Sequence, residues 1–153
     1  MENGTYLVHP STSSYLPSGE QTWTAGPRPP KDVECVAGIS SSSFLAFSSK
    51  EIHQYDSSIA GPTSADGWVV DAGWPELMER HGPGCAVLGS LCVVAGGQDA
   101  LDEVLKSVEI ISLETKSLIP STNDMLKPRH HFKLILHTEL TTQSLLKILY
   151  IEI

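Results

Sequence analysis

The side chains that could do chemistry are few, and their spacing argues against most chemistry. Six histidines raise the question of a metal. His130 and His131 are adjacent, so on a strand their rings would point to opposite faces and could not share an ion. No cysteine or carboxylate pattern completes a ligand set around them, and neither a metal nor any other cofactor is expected. Cys35, Cys85 and Cys92 are an odd set without CxxC spacing, each among apolar neighbours. They read as small buried hydrophobes in a reducing compartment, which points to the cytosol. Gly96-Gly97 lacks the Lys-Ser/Thr and the following helix of a phosphate loop. No GxSxG elbow or HExxH helix is present. The carboxylates Asp99, Asp102 and Glu103 crowd one loop, where solvated charge is the ordinary role. No catalytic set emerges, and the chain is not expected to be an enzyme.

Composition narrows the remaining classes. The 153 residues are 41% hydrophobic and 18% charged, a globular rather than disordered balance. A net charge of −8 repels the phosphate backbone of a nucleic acid and an anionic membrane alike. No basic run interleaved with aromatics offers a local exception. The first residues show no basic start followed by an apolar stretch, so no secretion signal is expected. The most apolar run, Leu145 to Ile153, is far too short for a membrane-spanning helix.

The elements that must carry any site are strands. Ten prolines and twelve glycines punctuate the chain, and the apolar runs between them are short. Val33–Val36, Phe44–Phe47, Cys85–Leu88, Leu91–Ala95 and Val108–Ile111 are β-branched or aromatic runs bounded by turn residues. Leu91–Ala95 is apolar throughout, as a strand covered on both faces would be. Leu101, Val104 and Leu105 fall at helical spacing, but Asp99–Lys106 is only about two turns long and reads as a loop with at most one helical turn.

Repetition organises these strands. Pro27-Arg28, Arg80-His81 and Pro128-Arg129-His130 each stand ahead of a strand candidate, with the arginines 52 and 49 residues apart. A period near fifty with several short strands per period fits a propeller of four-stranded blades. Residues 74–132 add Trp74 and Met78 before Arg80, then Leu91–Ala95 closing on Gly96-Gly97, then Val108-Glu109-Ile110. In order and spacing this segment closely resembles the kelch repeat. The unit over 23–73 is degenerate. It keeps Trp23, Pro27-Arg28 and Ile52-His53-Gln54-Tyr55-Asp56, but Ser48-Ser49 stands where Gly-Gly belongs.

The resemblance implies an all-β fold, a kelch-type β-propeller fragment of four-stranded antiparallel blades with the ring not closed. Residues 1–26 would end one blade, with strands at 5–8 and 21–24. Residues 27–73 would form a divergent blade with strands at 33–37, 43–47, 51–56 and 67–71. Residues 74–124 would form the best-matching blade, with strands at 84–88, 91–95, 107–112 and 116–119. Residues 125–153 would start a further, truncated blade with strands at 131–136 and 147–152. Four blades need roughly 200 residues, so the expectation is either a truncated reading frame or an arc that self-associates.

Such repeats imply a protein or peptide ligand, bound by loops at one mouth of the ring. Carried over by position, the ligand-binding candidates are Arg80, His81, Arg129 and His130, joined by Gln98 and Asp99 from the neighbouring loop. Arginine suits the role because its planar donors grip a carboxylate bidentately. The competing reading has these arginines pairing with strand carboxylates such as Glu109. A protein–protein interaction module is the leading implication, and substrate recognition for a ubiquitin-ligase adaptor is one form it takes. A propeller enzyme (oxidase or sugar epimerase) and an actin-associated kelch protein are the alternatives.

Overall fold

The computed structural model describes residues 4–9, 12–17, 22, 24–26, 28–59, 67–69, 72–121 and 123–136. Its contacts divide the chain into two compact units, Met1–Glu76 and Leu77–Ile153. The fold is all-β, with antiparallel pairing throughout and no α-helix among the described residues. Three sheets are found there, fewer than the four blades of the smallest propeller.

In the first unit β1 (Gly4–His9), β2 (Thr12–Pro17) and β3 (Thr24–Ala25) form a sheet in chain order. The expected strand at 5–8 lies in β1, and that at 21–24 overlaps β3 only at Thr24. Strand β2 has no counterpart in the sequence reading. Its Ser-rich composition hides any alternation.

The second sheet has β4 (Cys35–Gly38), β5 (Ser43–Ser48) and β6 (Glu51–Asp56) in chain order. Phe44 lies directly opposite Tyr55, and their rings stack with centroids 5.0 Å apart. Trp68 closes edge-on against both, at 5.8 and 5.4 Å. Such pairs add about 0.5–1.5 kcal/mol each beyond simple burial. Gly67 lets the chain deliver Trp68. Its φ is +82°, and a Cβ there would sit 2.8 Å from the Tyr55 ring. Of the expected fourth strand at 67–71, the described residues 67–69 make one bridge, Tyr55 with Trp68, backed by Val69 N–H donating to the Gln54 carbonyl at 2.9 Å. Residues 70 and 71 lie outside the described residues.

The second unit holds the four-stranded sheet, in the order β10-β9-β8-β7. Its strands are β7 (Gly84–Leu88), β8 (Leu91–Ala95), β9 (Val108–Ser112) and β10 (Ser117–Ile119). In β8 the residues Cys92 to Ala95 are all at most 1% exposed, so both faces are covered, as the unbroken apolar run predicts. Val93, Ala95 and Val108 pack with Met125 and Leu134 into one core, with Ala86, Ile110, Phe132 and Leu136 against it. Each fully buried aliphatic side chain contributes roughly 1.5–3 kcal/mol.

Two expectations need correcting. No strand forms over the described part of 131–136, although Phe132, Leu134 and Leu136 alternate and all join that core. The extended run starts from His131, whose φ of +52° turns the chain out of strand geometry. The expected strand at 147–152 lies outside the described residues. The reading of three free thiols also fails. Cys92 is free and buried, and burial pushes its thiol up to about 12. Cys35 and Cys85 are disulfide-bonded. The cysteines therefore no longer argue for a reducing compartment. No described helix is long and apolar enough to cross a membrane.

Candidate functional site

The site candidates sit on the connection between β8 and β9 and the two segments that flank it. Strand β8 ends at Ala95 and β9 starts at Val108, leaving Gly96–Ser107 as a loop. Gly96 N–H donates to the Ser107 carbonyl at 3.0 Å and closes the loop's neck. Both glycines are required here. Gly96 has φ +65°, and a Cβ on it would collide with the Arg129 carbonyl oxygen and Met125. Gly97 has φ +94°, and its Cβ would lie 2.9 Å from the His81 carbonyl oxygen and 3.2 Å from the Arg80 Cβ. The Gly-Gly pair is a packing device, as the sequence reading holds.

Backbone hydrogen bonds gather three segments around this neck. His81 and Gln98 exchange N–H donors and carbonyls, both at 2.8 Å. Gly97 N–H donates to the Arg129 carbonyl at 2.7 Å, and Arg129 N–H to the Leu105 carbonyl at 3.1 Å. His131 N–H donates to the Gly82 carbonyl at 2.7 Å. Segments 80–82, 96–105 and 129–131 are thus one cluster, and it contains all six candidate residues.

Their side chains do different things. Arg80 is 1% exposed and faces inward. Its Nη1 donates to the Gly96 carbonyl at 2.8 Å and the Ser107 carbonyl at 3.1 Å. Its Nη2 donates to Glu109 Oε2 at 2.8 Å. Glu109 also accepts the Met78 N–H, at 3.0 and 3.2 Å to its two oxygens. The guanidinium therefore takes the bracing role named as the competing reading. Charge-assisted bonds of this kind are about twice as strong as neutral ones, and the buried cation needs them.

His81 and His130 are exposed, and Gln98, Asp99 and Arg129 are half-buried. Asp99 spends one carboxylate oxygen on its own loop, accepting the N–H groups of Leu101 at 2.8 Å and Glu103 at 3.0 Å. Gln98 Nε2 donates to the Asp102 carbonyl at 3.3 Å. Asp99–Lys106 is a loop, with an isolated Gln98–Val104 bridge and no helical turn. Its tip is Leu101, 81% exposed. His130 and His131 do not diverge as strand neighbours would. With His131 in the left-handed region, their Nδ1 atoms approach to 2.7 Å and their rings meet edge-on. Among the described residues no group of three metal-ligating side chains comes together.

The chemistry of this cluster is that of a recognition surface, with mixed donors and acceptors around a rigid neck. A comparison with protein families adds the deciding observation: the model of the kelch motif matches residues 79–117. Residues 79–117 are similar to a kelch repeat. The match takes in β7, β8, the loop, β9 and the first residue of β10, and it includes Arg80, His81, Gln98 and Asp99. Kelch repeats are in general modules of protein–protein interaction, and the motif supports that class here. No curated protein matches the chain.

The sequence shows the glycines, the arginine and the glutamate. It does not show the grip of Arg80 on both ends of the loop, because the acceptors are backbone carbonyls and leave no mark in residue type. The signal that was available is Arg80 ahead of a glycine pair and Glu109 behind it.

Proposed function

We propose that the chain is a protein-interaction module whose ligand surface is formed by His81, Gln98, Asp99, Arg129 and His130, with Arg80 supporting it from beneath. The observation that carries this reading is the cluster itself: backbone hydrogen bonds fasten three segments side by side, and their polar side chains lie at or near the surface. Preorganised polar groups around a fixed neck lower the ordering cost of binding. The finer reading is substrate recognition for a ubiquitin-ligase adaptor in the cytoplasm. The repeat organisation that accompanies it is a divergent blade over 27–73, a regular blade over 74–124, and parts of two others at 1–26 and 125–153. Self-association of the incomplete ring belongs to the same proposal.

The test uses the immobilised chain and a triple variant, His81→Ala, Arg129→Ala and His130→Ala. The variant should melt within a few degrees of the wild type and lose the proteins that the wild type retains from cell extract. Retention of the same proteins by a folded triple variant overturns the surface assignment. Ubiquitylation of a retained protein that depends on the chain supports the adaptor reading, and its absence counts against that reading alone. Sedimentation equilibrium reads the self-association.

A further inference from the structure

We propose that Arg80 is a positioning residue for the Gly96–Ser107 loop, holding the loop's neck shut rather than stabilising the sheet as a whole. The proposal deepens the binding reading and depends on it only for its purpose. Two observations carry it. First, one guanidinium nitrogen donates to both ends of the loop, the Gly96 and Ser107 carbonyls, while the other is anchored on Glu109 in β9. The group spans the neck at the point where the two strands part. Second, the chain contains its own control. In the β4–β6 sheet, Ser48 pairs with Glu51 across the two-residue turn Ser49-Lys50, so no long loop exists.

Among the described residues that sheet has no buried arginine either. The burial pattern of Val108–Ile111 in β9 (buried, half-buried, half-buried, buried) recurs over Ile52–Tyr55 in β6, which sets the pair Val94–Glu109 level with the pair Ala46–His53. His53 therefore stands where Glu109 would be, and the preceding arginine, Arg28, is exposed while Arg80 is buried. The β5–β6 pairing persists with His53 in place of that acid and with no buried arginine among the described residues of its unit. The brace is present where there is a loop to hold and absent where there is none. A residue required for the sheet itself would be expected in both.

Arg80→Lys keeps the charge and removes the fork that holds the two carbonyls with one arm and Glu109 with the other. Amide hydrogen exchange on the full chain should show Gly96, Gly97 and Leu105 exchanging about tenfold faster, since loss of a typical hydrogen bond opens a region to that extent. Amides of Cys92–Ala95, and of β5 in the other unit, should keep wild-type rates. In a chain whose loop residues 97–106 are replaced by Ser-Lys, the same substitution should leave exchange across β8 and β9 unchanged. Uniform acceleration across β7–β10, or loss of the folded state, would make Arg80 a general brace and overturn the proposal. Unchanged loop exchange would overturn it too. Neither readout involves a ligand, so failure here is distinct from failure of the surface assignment.

Discussion

The sheets β4–β6 and β7–β10 have the same antiparallel design and solve the same connection in opposite ways. Where β8 passes to β9 the chain spends twelve residues, two glycines at positive φ and a buried arginine paired with a half-buried glutamate. Where β5 passes to β6 it turns in two residues, with Ser49 alone at positive φ, +49°. Stability follows different routes as well. The four-stranded sheet relies on an aliphatic core under Val93, Ala95 and Val108, and the three-stranded sheet on the Phe44–Tyr55–Trp68 aromatic cluster. The lesson is that loop and brace are a coupled set. The sheet itself survives without them, so what they maintain is the loop's shape.

The largest effect that could break this comparison is at the glycine pair. Gly97→Val puts a β-branched side chain at φ +94°, against the His81 carbonyl 2.9 Å away. Strain of this kind costs of the order of 1–3 kcal/mol, and the steric clash adds to it. Ser49→Val, at the equivalent place in the other sheet, should cost about 1 kcal/mol, since its φ is already strained for the native residue. Thermal melts of both variants check the ranking. Equal losses would mean that the two connections are not built differently.

Glu109→Gln comes next. It leaves the Arg80 guanidinium buried without its counter-charge, and breaking such a pair costs about 3 kcal/mol. His53→Gln, at the matching position of the burial pattern in β6, should change stability by well under 1 kcal/mol. His53 Nε2 has no hydrogen-bond partner among the described residues and only a 3.4 Å approach to Glu51. Chemical denaturation of the two variants measures both. A large loss at His53 would mean that the shorter sheet carries a brace of its own.

Much of this arrangement could be read in the chain before any coordinates. Strands β7 and β8 were legible to the residue, because each is an apolar run cut off by Gly or Ser on both sides. Ser48-Ser49 was legible as a departure from Gly-Gly, and the two-residue turn is its consequence. What stayed hidden is carried by the backbone. The bonds of Gly97 to Arg129 and of His81 to Gln98 join carbonyls and amides that every residue owns. The left-handed turn at His131 was equally silent, so the alternation of Phe132, Leu134 and Leu136 reads as a strand when it is only a strand-like face. The inward direction of Arg80 depends on where Glu109 lies in space, and sequence offers it only as one of two readings.

A smaller effect distinguishes the sheets by pH. Burial holds His53 below the ordinary imidazole range, against the opposing pull of Glu51. A base with a lowered folded-state pKa binds fewer protons folded than unfolded. Its contribution is therefore complete above the unfolded value of about 6.5 and is lost as pH falls through that value. The loss cannot exceed about 1.4 kcal/mol per pH unit. Amide exchange in β6 should become relatively faster between pH 7 and 5.5, once corrected for intrinsic rates, and His53→Gln should remove that dependence. A dependence that survives the substitution would place its origin elsewhere.

The smallest expected effect has the opposite sign. Ser49 holds φ +49° without a glycine's freedom, at a position that the other sheet gives to Gly97. Left-handed geometry costs an L-residue roughly 1–2 kcal/mol, and Ser49→Gly removes that cost. Glycine also enlarges the unfolded ensemble, which takes back about 0.5–1 kcal/mol. The balance is a gain of some tenths of a kcal/mol, read as a rise of about 1–3 °C in the melting temperature. The serine's hydroxyl could reverse the sign only if it made a bond worth more than the strain. Ser49→Ala separates these terms, because it keeps the strain and removes the hydroxyl. If Ser49→Ala is neutral and Ser49→Gly stabilises, the turn tolerates strain that glycine would relieve. If both destabilise, the hydroxyl holds the turn, and the short connection has a device of its own in place of the arginine brace.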